Sequence, residues 1–447
     1  MSSVSRRLAG LAVSLSLCLS LSAWAQPSPD AGMPSDAGTP STEAPPEGLS
    51  DEELKELEEA LGSDAAAATS TQGGTTSAPA GATSTTPSSG LTISPQNIGF
   101  SWLNISFILD ATAAAFTSKE PLQTGGHDPG GNGFNLQQLE MALNAVVDPY
   151  FRFDSNVVFS QFGVEIEEAV ASTTSLPGNL QLRGGQFLTR FGRINPTHLH
   201  SWDFVDQPFA IGRVFGAEGN RGLGVEASWL TPMPWYVELV GSATDASGGS
   251  TARSFLNTDT GGVTSPLDFQ FTGAVKQFFE LSDDLSLLWG VSGANGPNPS
   301  GYRNRTDVFG TDVYLKYRPL RGGSFTIVAL QAEVLYRRRQ VPDDVLWDVN
   351  SYGQLTWRFL QRWATAARYE LGTPARYLDG GIAPDPLDPE WESNRQRISA
   401  NVSFYPTEFS RLRLQGATDL VGWRDRPDYS VFLALEVLVG AHGAHTF

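Results

Sequence analysis

Residues 394–420 read NRQRISANVSFYPTEFSRLRLQGATDL. Two alternating runs flank Tyr405-Pro406-Thr407-Glu408. In the first, Ile398, Ala400, Val402 and Phe404 fall on one side, and Arg395, Arg397, Ser399, Asn401 and Ser403 on the other. In the second, Leu412, Leu414 and Leu420 oppose Arg411, Arg413, Gln415 and Asp419. A period of two is a strand. A strand apolar on one face and charged on the other has lipid on one side and water on the other.

The same alternation runs back along the chain. It predicts sixteen strands, at 101–117, 133–148, 150–160, 163–173, 179–191, 222–230, 235–244, 268–280, 284–294, 306–317, 324–337, 346–358, 362–371, 394–405, 409–420 and 429–441. Short connections carry turn residues, such as Asp148-Pro149, Pro177-Gly178, Pro232-Met233-Pro234 and Arg321-Gly322-Gly323. Between them lie longer ones, at 118–132, 192–221, 245–267, 295–305, 338–345, 372–393 and 421–428. The connection near Gln161-Phe162-Gly163 is short where a long one is due. Tight turns at one rim and long loops at the other belong to an outer-membrane barrel, with both termini on the tight-turn, periplasmic side. The fold class is therefore all-β, a transmembrane antiparallel barrel of about sixteen strands over 97–447.

The N-terminal part has other properties. Arg6 and Arg7, the apolar run Leu8–Leu21 and Ala23-Trp24-Ala25 predict a signal peptide over 1–25. Leu17 is too large for a lipidation site at Cys18, the one cysteine of the sequence. Beyond it no run of about 18 apolar residues occurs, so a crossing must use strands. Residues 26–96 are rich in Pro, Ala, Ser and Thr and predict a disordered periplasmic segment. One short helix is expected there over 51–61, with Ser50 and Glu53 as its capping box and Gly62 as its stop. Residues 1–96 hold three bases and eleven acids, −8 of the net −18, which leaves −10 for the barrel. That balance excludes nucleic acid as a partner.

Three features carry candidate chemistry. Arg358, Arg368, Arg395, Arg397, Arg411 and Arg413 fall on the polar side of their strands. Facing lipid they would cost about 2–4 kcal/mol each near the midplane, so they should line a pore. There they either draw anions or pair with Glu370, Asp419 and Glu436. The long, aromatic third connection is expected to fold inward, with Asp203, Asp206 and Glu218 as the acid side of a constriction. Finally, His198-x-His200 and His442-x-x-His445 have spacings that could ligate zinc, with carboxylates such as Asp203 completing the set. No nucleophile–base pair or phosphate loop is visible, so no enzyme is expected, and no cofactor beyond that zinc.

The run Arg183-Gly184-Gly185-Gln186-Phe187-Leu188-Thr189-Arg190-Phe191-Gly192-Arg193-Ile194-Asn195, followed by Phe204-Val205-Asp206-Gln207-Pro208, resembles the core of the phosphate-selective-porin-like outer-membrane family. Asp148-Pro149-Tyr150-Phe151-Arg152 and Gly163–Ala169 fit the same pattern. The tail Gly440-Ala441-His442-Gly443-Ala444-His445 is similar to that of barrel proteins described as zinc-regulated. The terminal Phe447 resembles a signal for the barrel-assembly machinery. The resemblance implies a sixteen-stranded homotrimeric porin. This barrel is poor in lysine, and its third connection has no cationic run, so the solute stays open. The expected function is passive diffusion of small hydrophilic solutes, with an anion preference if the arginines stay free. The alternative is a metal-linked barrel that uses the paired histidines.

Overall fold

The computed structural model describes residues 92–94, 97–100 and 103–440, apart from 162, 246–250, 256–262, 320–324 and 386. The expected signal peptide, the helix at 51–61, His442, His445 and Phe447 lie outside the described residues.

Sixteen strands close into one antiparallel barrel. They are β1 (Leu103–Phe116), β2 (Gly133–Val146), β3 (Phe151–Ser160), β4 (Gly163–Thr173), β5 (Leu180–Leu188), β6 (Arg221–Leu230), β7 (Tyr236–Thr244), β8 (Gln270–Ser282), β9 (Leu285–Pro297), β10 (Arg305–Tyr317), β11 (Ile327–Val341), β12 (Asp344–Leu360), β13 (Trp363–Gly372), β14 (Arg395–Thr407), β15 (Ser410–Val421) and β16 (Asp428–Gly440). Each pairs with the next in sequence, and β16 returns to β1 with Val437 opposite Leu109. Closure leaves no lipid-exposed edge, which a bilayer demands. The shortest strands have nine residues, enough for a tilted crossing. Two short strands, Thr92–Ser94 and Asn97–Phe100, pair with each other, and the second pairs with the start of β1.

The faces follow the alternation. Ile398, Val402, Leu412, Leu414, Leu433 and Leu435 are exposed on the outer wall, while Arg395, Arg397, Arg411 and Arg413 are buried inside. The short connection expected near 161–163 is present, since β3 ends at Ser160 and β4 begins at Gly163. The connection expected over 338–345 is different. There β11 runs on to Val341 and β12 starts at Asp344, with the two residues paired across a tight turn. Asp343 takes the left-handed conformation the turn needs, at φ 64°. The strand expected to end at Arg337 therefore continues through Arg338 and Arg339. Arg337 and Arg339 point inward to acids, while Arg338 pairs outside with Asp307.

Two register irregularities bear on the site. On β4, Asn156 faces Glu168 and Val157 faces Ile166, which leaves Glu167 as an extra residue. On β2, Asp110 faces Gln138 and Ala111 faces Leu136, which leaves Gln137 extra. Such bulges re-aim side chains.

Candidate functional site: the loop-filled lumen

The connection between β5 and β6, residues 189–220, enters the barrel. It carries one α-helix, α1 (Phe209–Phe215), and a 3-10 turn at Leu199–Ser201. Pro208 sits just before the helix, where a missing N–H costs nothing, and Gly216 ends it at φ 100°. Every residue of α1 is buried.

One side of the loop is apolar. Phe191, Ile194, Ile211, Val214 and Phe215 pack with Ala252 and Phe255 of the long connection after β7. They also meet Ala294, Val308, Leu335 and Tyr352 of the β9–β12 wall. The Phe215 ring lies 4.9 Å from that of Phe191 and 6.4 Å from that of Phe255. A barrel that faces water inside needs no such wall residues, and alternation alone did not single them out.

The opposite side is polar and centres on Asp206. Arg368 donates to its Oδ1 at 2.7 Å and Arg397 to its Oδ2 at 2.5 Å. Gln415 and Gln123 donate as well. Burial alone would raise the Asp206 carboxyl, but Arg397 and Arg368 overcome it and hold the group below the usual carboxylate range. Asp203 accepts from Gln354 and Thr356, and its carbonyl accepts from Asn401. The Phe209 N–H at the start of α1 donates to Glu370 at 2.7 Å.

The lumenal arginines are therefore engaged. Arg368 also pairs with Glu370, Arg395 with Asp419, Arg397 with Asp419, and Arg411 with Glu436. Arg411 and Arg413 both donate to the Trp202 carbonyl. Arg358 is held elsewhere and donates to the Gln361 carbonyl at 2.7 Å. It lies at the short-turn end beside a cavity of about 430 Å³ lined with Arg318, Arg362 and Glu408, and its guanidinium sits 5.0 Å from the Tyr405 ring.

Further polar anchors had no place in the expected set. Arg213 of α1 donates to Asn350 and the Thr373 carbonyl, pairs with Asp388 and stacks on Trp391 at 3.6 Å. A lone arginine in the apolar run FAIGRVF was the available signal. Arg337 pairs with Asp348 and Asp385, and Arg339 with Asp385. The backbone N–H groups of Arg193 and Ile194 donate to Glu333. Among the described residues the loop also meets β2 through Gln137, β8 through Lys276 and β9 through Ser292.

Glu218 does not join the acid side opposite the arginines. It lies 3.3 Å from His127 of the 117–132 loop. His198 Nδ1 is 2.9 Å from Glu167 and its Nε2 is 3.0 Å from Glu168. His200 Nδ1 is 3.0 Å from Glu140, and the two imidazoles stack 5.9 Å apart. The carboxylates beside these histidines are glutamates of β2 and β4, not Asp203, which is occupied elsewhere. The bulge at Glu167 turns it inward beside Glu168, a placement that strict alternation denies to adjacent residues.

No family model matches the chain. An uncharacterised protein of Aquifex aeolicus (strain VF5) is 32% identical over 352 residues, covering 72% of this chain and 73% of that one. The outer-membrane channel DcaP of Acinetobacter baumannii superposes with TM-score 0.53 at 13% identity, over 75% of this chain and 96% of that one. An anion-selective porin from Comamonas acidovorans gives TM-score 0.49 at 10% identity, over 75% and 99%. The likeness to DcaP is one of fold, a porin-type barrel of the outer membrane. At its level of identity over most of both sequences, the chain belongs to the family of the Aquifex aeolicus protein.

Proposed function

We propose that this barrel is an outer-membrane porin for passive diffusion of small hydrophilic solutes, with its third loop as the constriction. One observation carries the reading. Residues 189–220 lie inside a closed barrel, and Asp206 is gripped there by Arg368 and Arg397. A lumen narrowed by a tethered loop is what selects solutes by size.

The anion preference is modest in this reading. Arg368, Arg395, Arg397 and Arg411 share acids at short range, so little of their charge reaches the lumen. The cavity at the short-turn end, lined by Arg318, Arg358, Arg362 and Glu408, places a second group of cationic side chains along the path. We assign three chains to the assembly, as the family resemblance implies.

The test is single-channel conductance of the purified, refolded protein in a planar bilayer under a salt gradient. Steps in threes with a small anion-favouring reversal potential are expected. A silent protein with intact strand content overturns the open-pore reading.

A further inference from the structure

The histidines and glutamates between the loop and the β2–β4 wall have no part in the constriction. His127, Glu167 and Glu218 each offer a ligand atom, all within 4.8 Å of one another, and so do Glu140, Glu167 and His198. Glu167 belongs to both groups. Five different parts of the chain converge here: the 117–132 loop, β2, the β4 bulge and two points of the third loop. A cavity of about 30 Å³ lies among His127, Glu167, His198 and Glu218. That is the space of about one water molecule, enough for an ion with its remaining ligand. His127 Nε2 is enclosed without a hydrogen bond, although 3.3 Å from Glu218.

We propose that this cluster binds a divalent cation of the zinc class, which fastens the two external loops to the barrel wall. The donor set is imidazole nitrogen and carboxylate oxygen, with no thiolate. That set suits zinc and its first-row neighbours over calcium, which takes oxygen ligands only. Ligand atoms around a tetrahedral zinc at about 2.0–2.2 Å sit a little over 3 Å apart. The nitrogen–oxygen separations of 2.9 Å between His198 and Glu167 and 3.3 Å between His127 and Glu218 are near that spacing. Glu140, Glu167, Glu168 and Glu218 bring four carboxylates together, and their side chains are between 0 and 18% exposed. Of the arginines beside them, Arg221 is divided between Glu165 and Glu218, and Arg183 is paired with Glu226. A divalent ion supplies the missing positive charge. His200 supports the site by contacting Glu140 from behind.

The rival is a metal-free clamp in which the imidazoles are protonated and simply pair with the glutamates. Metal analysis of the full-length protein, stripped with a chelator and then titrated with ZnCl₂, separates the two. One or two zinc ions per chain are expected. His127→Gln lies in an external loop and should weaken binding by at least about 10–100-fold. Glu167→Gln should do the same, with strand content from circular dichroism as the folding control. The pair His442→Ala and His445→Ala should leave the stoichiometry unchanged. No zinc uptake by the natural protein overturns the proposal. So does uptake that survives His127→Gln and Glu167→Gln together, or that is lost with the tail histidines alone.

Discussion

The two sides of the lumen hold one loop by different means. Toward β9–β12 the contact is largely apolar, with Phe191, Ile211, Val214 and Phe215 against Phe255, Val308 and Leu335, bordered by loop hydrogen bonds to Ser292, Glu333 and Asn350. Toward β13–β15 it is ionic, with Asp206 between Arg368 and Arg397. Burial of apolar area has no direction, so it keeps the loop inside without fixing its register. A planar guanidinium against a carboxylate is directional and does fix it. Apolar burial therefore adds holding energy on the one side, while the directional contacts, densest around Asp206, set where the loop stops.

The largest effect is expected on the apolar side. Phe215 is fully buried, and Phe215→Ala should cost about 3–5 kcal/mol. Unit conductance should rise and become heterogeneous as the loop loosens. Unchanged conductance would mean that the ionic side holds the loop alone.

Asp206→Asn comes next, at about 3 kcal/mol, because it leaves two buried guanidiniums without their shared charge. The reversal potential should move toward anions while the loop stays in. If selectivity does not move, the arginines are not electrically exposed to the pathway.

Acid offers a reversible version of the same test. Asp206 is held below its ordinary 3.8 by Arg397 and Arg368, against the effect of burial. A depressed carboxyl contributes stability that is present above the ordinary value and lost as the pH falls through the lowered one. The contribution of Asp206 should therefore persist from neutral pH down to about 4 and be lost only below it. A transition near neutrality would assign the loop's position to other groups.

Asp203→Asn should be milder, about 1.5 kcal/mol, since its partners Gln354 and Thr356 are uncharged. A slight broadening of the conductance steps is the expected sign. Smallest of all, Arg358→Gln should leave unit conductance alone and trim the anion preference by removing one charge at the mouth. An effect as large as that of Asp206→Asn would move the selectivity site from the constriction to the rim.

Much of this was legible in advance. Strand faces came from alternation, because a wall between lipid and water sorts residues one by one. Arg395, Arg397, Arg411 and Arg413 point inward as that rule requires. The inward loop could be foreseen from aromatics that would be costly in a solvated segment. The turn at Val341–Asp344 was missed because charges on both faces of Arg337-Arg338-Arg339 hid the alternation, and each face had acids to receive them.

By itself the sequence determined the barrel, its sides and the identity of the entering loop, since period-two sorting and loop length are local properties. Which arginine meets which acid was decided by the tertiary structure alone. Asp206 reaches Arg397 across 191 positions of chain, and the Glu167 bulge brings it to a histidine 31 positions away. Alternation gives each side chain a direction and says nothing about its neighbours. The neighbours follow from closing the sheet, because the angular position of each strand around the lumen exists only once the last strand has paired with the first.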